Sequence, residues 1–219
     1  MLYTGTLEPY QGLDLLLEAL VAVVARHPAT RLVVAGGRPE QVDELARRAT
    51  SLGLSGRVEL LGLVPSPLIP ALEAAADVLV SPRSRGRNTP LKIFSYLRSG
   101  RPIVATDIAS HTQVLDGETS ILVPPTAAGL AEGLERVLAG EALARATAAA
   151  SSVRATYGVD AYVRGVAAAY THVGGTVPGP SEVAEATAVI TGFGENARDD
   201  IECRHFVAEL TQRPLGVAV

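Results

Sequence analysis

Tryptophan is absent from this chain, and cysteine, methionine and lysine each occur once among its 219 residues. A single cysteine, Cys203, excludes an intrachain disulfide and any cysteine-cluster metal site. Aromatic residues make up only 4%, so alanine, valine and leucine must fill the core. That suits helices packed on a parallel sheet better than an aromatic-rich sandwich. Positive charge is also scarce. The net charge of −4 argues against sequence-independent nucleic-acid binding, which needs a basic surface. No basic stretch followed by an apolar segment opens the chain, and no apolar run is long enough to span a bilayer. The expectation is a cytoplasmic protein without a transmembrane segment, or one held peripherally at a membrane through an acceptor or partner. The histidines, His27, His111, His172 and His205, show no metal-ligand spacing. His111 either lines a site or packs locally.

What the chain does have is an alternation of two hydrophobic periods. Short β-rich runs lie at residues 2–7, 31–37, 58–64, 77–82, 102–108 and 119–123. Helical patterns lie between them, at 12–26, 40–52, 68–76 and 90–98, with another at about 127–138 and Ala-rich helices on to about 173. In the first helix Leu13, Leu16, Leu17, Leu20 and Val24 share one face. Six strand–helix units predict an α/β fold with a doubly wound, parallel, six-stranded, Rossmann-like sheet. Its ligand is expected beyond the carboxyl ends of the strands, at the switch point of the strand order. The run GGTVPGP (174–180) reads as a linker, so residues 1–173 form the expected domain and 174–219 a linker and tail of unassigned structure.

The densest motif is SPRSRGRNTPLKIFSYLRSGRPIVAT (81–106): strand, loop, helix, glycine stop, strand. Asn88 or Thr89 is expected to cap the helix, with Pro90 at its first position. A helix start after a strand offers backbone N–H groups to a phosphate. Lys92, the one lysine, falls in the first turn, followed by Ser95 and Tyr96 at helical spacing. Two further strand-to-helix turns carry glycines, Gly5 and Gly12 in YTGTLEPYQG and Gly36-Gly37 in RLVVAGGRPE. Neither a GxGxxG fingerprint nor a GxxxxGK[ST] loop is present.

Taken in order, these motifs resemble the C-terminal, donor-binding domain of GT-B glycosyltransferases of family 4, the group 1 glycosyl transferases. YTGTLEPYQGLDLLLEAL, RLVVAGGRPE, RVELLGLVP, ADVLVSPRSRG, LKIFSYLRSGRPIVATDI and VLDGETSILVPP are each similar to a family motif. The resemblance runs from about residue 3 to 170. It implies a retaining hexosyltransferase whose donor is a nucleotide-diphosphate sugar, with no cofactor or metal required. Gly5 and Thr6 would approach the diphosphate. The Gly36-Gly37 turn and the loop after Val64 would border the base. The loop carrying Arg83, Arg87, Asn88 and Thr89 would face sugar and diphosphate. Ser95 stands where the family usually has the glutamate that bonds the ribose.

The departures are specific. Thr6 and Gln11 stand where the family usually has an arginine and a lysine, and Arg85 and Ser95 where it has two glutamates. Arg83, Arg85, Arg87 and Lys92, four cations within ten residues, are the expected replacements, with Arg85 and Lys92 assigned to catalysis. The resemblance also implies an acceptor-binding domain in front of this one. The expected partner is therefore an N-terminal acceptor-domain polypeptide, without which the chain would bind nucleotide weakly and transfer no sugar. A non-catalytic nucleotide-binding or scaffolding subunit, or a truncated pseudoenzyme, is the competing expectation.

Overall fold

The computed structural model describes residues 1–141, Ala146 and Arg164. The helices expected beyond residue 141, the boundary at 173 and the tail lie outside these residues. Six parallel strands, β1 (Leu2–Thr4), β2 (Leu32–Ala35), β3 (Val58–Gly62), β4 (Leu79–Ser81), β5 (Ile103–Thr106) and β6 (Ile121–Val123), form one sheet. Their order is β3-β2-β1-β4-β5-β6, the doubly wound arrangement predicted by the alternation. The order reverses between β1 and β4, which pair through Leu2 and Leu79.

Among residues 1–141 six helices cover the two faces: α1 (Leu13–Arg26), α2 (Pro39–Ser51), α3 (Ile69–Ala75), α4 (Lys92–Ser99), α5 (Ala109–Thr112) and α6 (Ala127–Leu138). Side chains alternate across a strand, so adjacent residues feed opposite cores. Tyr3, Val80 and Val104 point into a core with Leu16, Leu17 and Leu20 of α1 and Leu130 and Leu134 of α6. Leu2, Leu79, Ile103 and Ala105 point into the other, with Leu72 of α3 and Ile93, Tyr96 and Leu97 of α4. Each leucine so buried contributes about 1.5–3 kcal/mol over leaving it in water. Among the described residues no helix is long and apolar enough to cross a membrane.

Three local expectations need correction. The strands are shorter than their β-rich runs. β1 ends at Thr4, where Gly5 turns with φ +131, and not at Leu7. The fourth helix starts at Lys92, not Pro90, and no side chain caps it. The Thr89 hydroxyl donates instead to Gln113 Oε1 at 2.7 Å, and the Asn88 carbonyl accepts from Arg83. A short helix, α5, and two 3-10 turns, Pro9–Gln11 and Ser66–Leu68, sit in segments expected as loops.

Candidate functional site

An open cleft of about 320 Å³ lies at the carboxyl edge of the sheet, beside the switch point. Its walls come from three strand ends and two helices. Thr4, Gly5 and Thr6 come from the end of β1, Ala35, Gly36 and Gly37 from the end of β2, and Leu63 and Val64 from the loop after β3. Helices α3 and α4 close it with Ile69, Lys92 and Ser95. The first two loops interlock. A Cβ on Gly36 would stand 2.0 Å from the Gly5 carbonyl oxygen, so only glycine lets the backbones meet. Glu8 then ties the first loop to the start of α2, accepting from Arg38 Nη1 (3.2 Å) and Gln41 Nε2 (3.1 Å).

Helix α4 grips the end of β1 at one residue. Thr4 is the last residue of its strand, and both of its peptide groups turn to α4. Its N–H donates to the Tyr96 hydroxyl (2.9 Å), and its carbonyl accepts from Lys92 Nζ (2.9 Å). Lys92 and Tyr96 are four apart and share a helix face, which is why one threonine meets both. The Lys92 ammonium also sits 3.8 Å from the centroid of the Tyr3 ring. Burial lowers its pKa from 10.5 to about 7, and the nearby Arg83 guanidinium adds to the shift. Burial drives both tyrosine hydroxyls the other way, well above their ordinary range, so they remain protonated. The Tyr3 hydroxyl donates to the Thr6 carbonyl at 2.6 Å, fixing the loop beneath the cleft.

Ser95, three residues after Lys92, lines the same cleft. Its hydroxyl lies 2.9 Å from the Lys92 carbonyl and 2.7 Å from Glu73 Oε1 of α3. Glu73 is buried, and burial raises its pKa against the opposing pull of Ser95 and Arg98.

The loop after β4 is built around Arg83. Its guanidinium donates to the carbonyls of Arg85 (3.0 Å) and Asn88 (2.8 Å) and stacks 5.0 Å from the Tyr10 ring centroid. Gln113, after α5, adds a bond from its Nε2 to the Arg87 carbonyl at 2.9 Å. Arg83 thus shapes the loop, while the side chains of Arg85 and Arg87 stand exposed. The amides of Ile93 and Phe94 at the start of α4 already donate to Pro90 and Leu91. The helix start therefore offers fewer free amides than a bare N-terminus would.

Beneath this loop lies a buried polar network. His111 Nδ1 approaches the Thr106 carbonyl at 2.8 Å, and Nε2 approaches Ser81 Oγ at 2.9 Å. A carbonyl only accepts, so Nδ1 carries the hydrogen and Nε2 accepts from Ser81. Burial lowers the His111 pKa and keeps the ring neutral. The Thr106 hydroxyl donates to the Arg83 carbonyl at 2.5 Å, carrying the network up to the loop.

Of the residues named from sequence, Gly5, Thr6, Gly36, Gly37, Lys92 and Ser95 come together around the cleft. Arg83, Arg85, Arg87, Asn88 and Thr89 lie on the adjacent loop and do not line it. Gln11 donates from Nε2 to the Thr6 hydroxyl at 3.2 Å, so these two positions form a neutral pair at the mouth of the first loop. Tyr3, Glu73 and Gln113 were not singled out by the sequence, and Tyr96 was noted only for its place in the helix. For Tyr96 the signal was its four-residue spacing from Lys92. For Glu73 it was a lone carboxylate in an apolar helix. Among the described residues no group of three or more His, Cys, Asp or Glu is placed to hold a metal.

Residues 1–140 match the protein-family model described as "Glycosyl transferases group 1". The chain is 34% identical over 142 residues to an exopolysaccharide phosphotransferase of Streptomyces coelicolor, covering 64% of this chain and 15% of that protein. It is 33% identical over 143 residues to the phosphatidyl-myo-inositol mannosyltransferase of Mycobacterium tuberculosis, covering 62% of this chain and 36% of that one. It therefore spans well under half the length of either relative. In fold it is similar to Anabaena HepE, solved in complex with UDP and glucose. The TM-score is 0.63 at 22% identity, over 70% of this chain and 42% of that one.

Proposed function

The chain belongs to the glycosyl transferases group 1 family and has the architecture of the C-terminal Rossmann-like domain of a GT-B glycosyltransferase; from that premise we propose that its cleft receives the diphosphate of a nucleotide sugar. The sugar is transferred, with retention at the anomeric carbon, to an acceptor held by a facing N-terminal domain. The observation that carries the reading is the position of Lys92. Its ammonium reaches the end of β1 from α4, beside Gly5 and within the cleft, where no carboxylate contributes to its charge state. A diphosphate entering there draws this buried amine into its charged form, and the low local dielectric strengthens their attraction.

The bond from the anomeric carbon to the diphosphate breaks as the acceptor oxygen bonds to that carbon, and the acceptor's hydroxyl proton passes to the leaving diphosphate oxygen. Negative charge grows on the leaving diphosphate, and a cation already in place stabilises it without reorganising. Lys92 takes this role, with Arg85 reaching over from the loop after β4. Thr6 and the Gly5 backbone border the diphosphate, and Leu63, Val64 and Ile69 give the base an apolar wall. The UDP found in Anabaena HepE and the mannosyl transfer named for the mycobacterial relative are consistent with such a donor.

The test is a thermal-shift titration with UDP, GDP, ADP and UDP-sugars, repeated on Lys92→Ala and Arg85→Ala. One nucleotide should stabilise the chain selectively, by about 2.7 kcal/mol at a hundredfold excess over its dissociation constant. Both variants should lose that gain. No stabilisation by any nucleotide would leave a scaffolding role as the better reading. The anomeric configuration of a transferred sugar, read by NMR, tests retention.

A further inference from the structure

Glu73 is 2% exposed, and among the described residues no cation pairs with it in a salt bridge. Its Oε1 lies 2.7 Å from Ser95 Oγ, which is itself 2.9 Å from the Lys92 carbonyl. A serine hydroxyl has one hydrogen, and a carbonyl and a carboxylate both only accept. With Glu73 ionised, that hydrogen serves one contact and leaves the other as two facing oxygens. With Glu73 protonated, every contact is satisfied. The carboxyl donates to Ser95 Oγ, and Ser95 donates to the Lys92 carbonyl. One lone pair of Ser95 is then left, and Ser95 lines the cleft. A buried carboxyl without a cation partner favours this neutral form.

We propose that Glu73 is a positioning residue: its carboxyl, carrying a proton, fixes Ser95 as a hydrogen-bond acceptor for a sugar hydroxyl of the bound nucleotide. The proposal rests on the nucleotide reading of the cleft and adds the ribose side of its recognition. Ser95 would then select for a ligand that donates at this point and against one lacking the hydroxyl. The groups bearing on Glu73 are Ser95, Arg98 and Tyr96, all from α4. A hydrogen bond donated by Ser95 and the charge of Arg98 favour its ionised form, burial outweighs them, and Arg98 is solvent-exposed.

The experiment measures the affinities of UDP, GDP and ADP, each against its 2′,3′-dideoxy analogue, for the wild type, Ser95→Ala, Glu73→Ala and Glu73→Gln between pH 6 and 9. The wild type should prefer the natural nucleotide by about three- to tenfold, the size of one net hydrogen bond. Ser95→Ala and Glu73→Ala should abolish that preference. Glu73→Gln should restore it, because its amide donates to Ser95 as the protonated acid does. Lys92 and the phosphates titrate equally in both proteins, so the ratio of wild type to Glu73→Gln isolates Glu73. The wild type should lose preference relative to Glu73→Gln as pH rises. A preference that instead grows with pH in that ratio, or that survives Glu73→Ala in a folded protein, overturns the proposal. Binding of no nucleotide to the wild type sinks the donor-site reading itself and this inference with it, an outcome distinct from intact binding without hydroxyl preference.

Discussion

The Lys92 ammonium lies 3.8 Å from the centroid of the Tyr3 ring, held there by a 2.9 Å hydrogen bond to the Thr4 carbonyl. Two consecutive β1 residues thus seat a cation that arrives from α4. The ring face and the carbonyl dipole are both electron-rich, so they partly offset the cost of removing the charge from water. They do not cancel it, as the lowered pKa of Lys92 shows. A group poised near neutrality responds to whatever anion enters beside it.

Proton uptake should therefore accompany nucleotide binding. A diphosphate raises the Lys92 pKa from about 7, so at pH 8 a largely neutral amine becomes an ammonium. Calorimetry in buffers of different ionisation enthalpy should register uptake approaching one proton at pH 8, falling away below pH 6. Lys92→Met should remove the uptake. The sign for stability also follows. The unfolded chain holds this proton to a higher pH than the folded one, so stability rises as pH climbs from about 7 toward 10.5. Relative to wild type, Lys92→Met should be more stable at pH 6 by roughly 2–4 kcal/mol, with the gain vanishing near pH 10.5.

Arg83 and Arg85 should separate by assay. Arg83 bonds two carbonyls of its own loop, and Arg85 stands exposed. Arg83→Ala should lower stability by about 1–2 kcal/mol, read as a fall in the urea midpoint. Arg85→Ala should leave the midpoint within about 0.5 kcal/mol yet weaken nucleotide binding. A reversed pattern would make Arg85 the organiser of the loop and Arg83 the ligand contact.

The doubly wound parallel sheet was legible because apolar runs and helical spacing alternate without interruption. Their ends were not. Thr6 and Leu7 are strand-like residues, but Gly5 turns toward β2 to meet Gly36, a partner far along the chain. The start of α4 was misplaced for the same kind of reason. Asn88 and Thr89 are good caps by composition, yet the Thr89 hydroxyl is bonded to Gln113 and Arg83 draws the Asn88 main-chain carbonyl into the loop. The cleft glycines and Lys92 were legible as turn and helix-start residues. Glu73 was not, because its hydrogen-bond partner lies 22 residues away on another helix.

His111 should act as a pH-sensitive brace. The neutral ring joins the ends of β4 and β5 through Ser81 and Thr106. Its folded pKa is depressed, so the unfolded chain takes the proton first, and stability falls as pH drops below 6.5. His111→Asn should cost about 2–4 kcal/mol at pH 7 through lost packing and the unsatisfied Ser81 hydroxyl. The penalty should shrink toward pH 5 as the wild type loses its advantage. Denaturation curves of both proteins across that range give the difference directly. A constant gap would mean that His111 does not change charge on unfolding.

Gly36 offers the sharpest test of how the cleft is built. Its φ is +128, and an added Cβ would sit 2.0 Å from the Gly5 carbonyl oxygen, a backbone atom that cannot swing aside. Gly53, with φ +73 and nothing within 4 Å of its Cβ position, is a control in which only backbone conformation opposes a side chain. Gly53→Ala should cost about 1 kcal/mol. Gly36→Ala should cost roughly 2–4 kcal/mol, because the first two loops must also part. Parting them moves Gly5 from beneath Lys92, whose Nζ lies 3.2 Å from the Gly5 Cβ position. Nucleotide affinity should therefore fall in Gly36→Ala even where the protein is fully folded, and remain unchanged in Gly53→Ala. Equal stability losses in the two variants would mean that the loops yield, and that their contact does not hold the cleft.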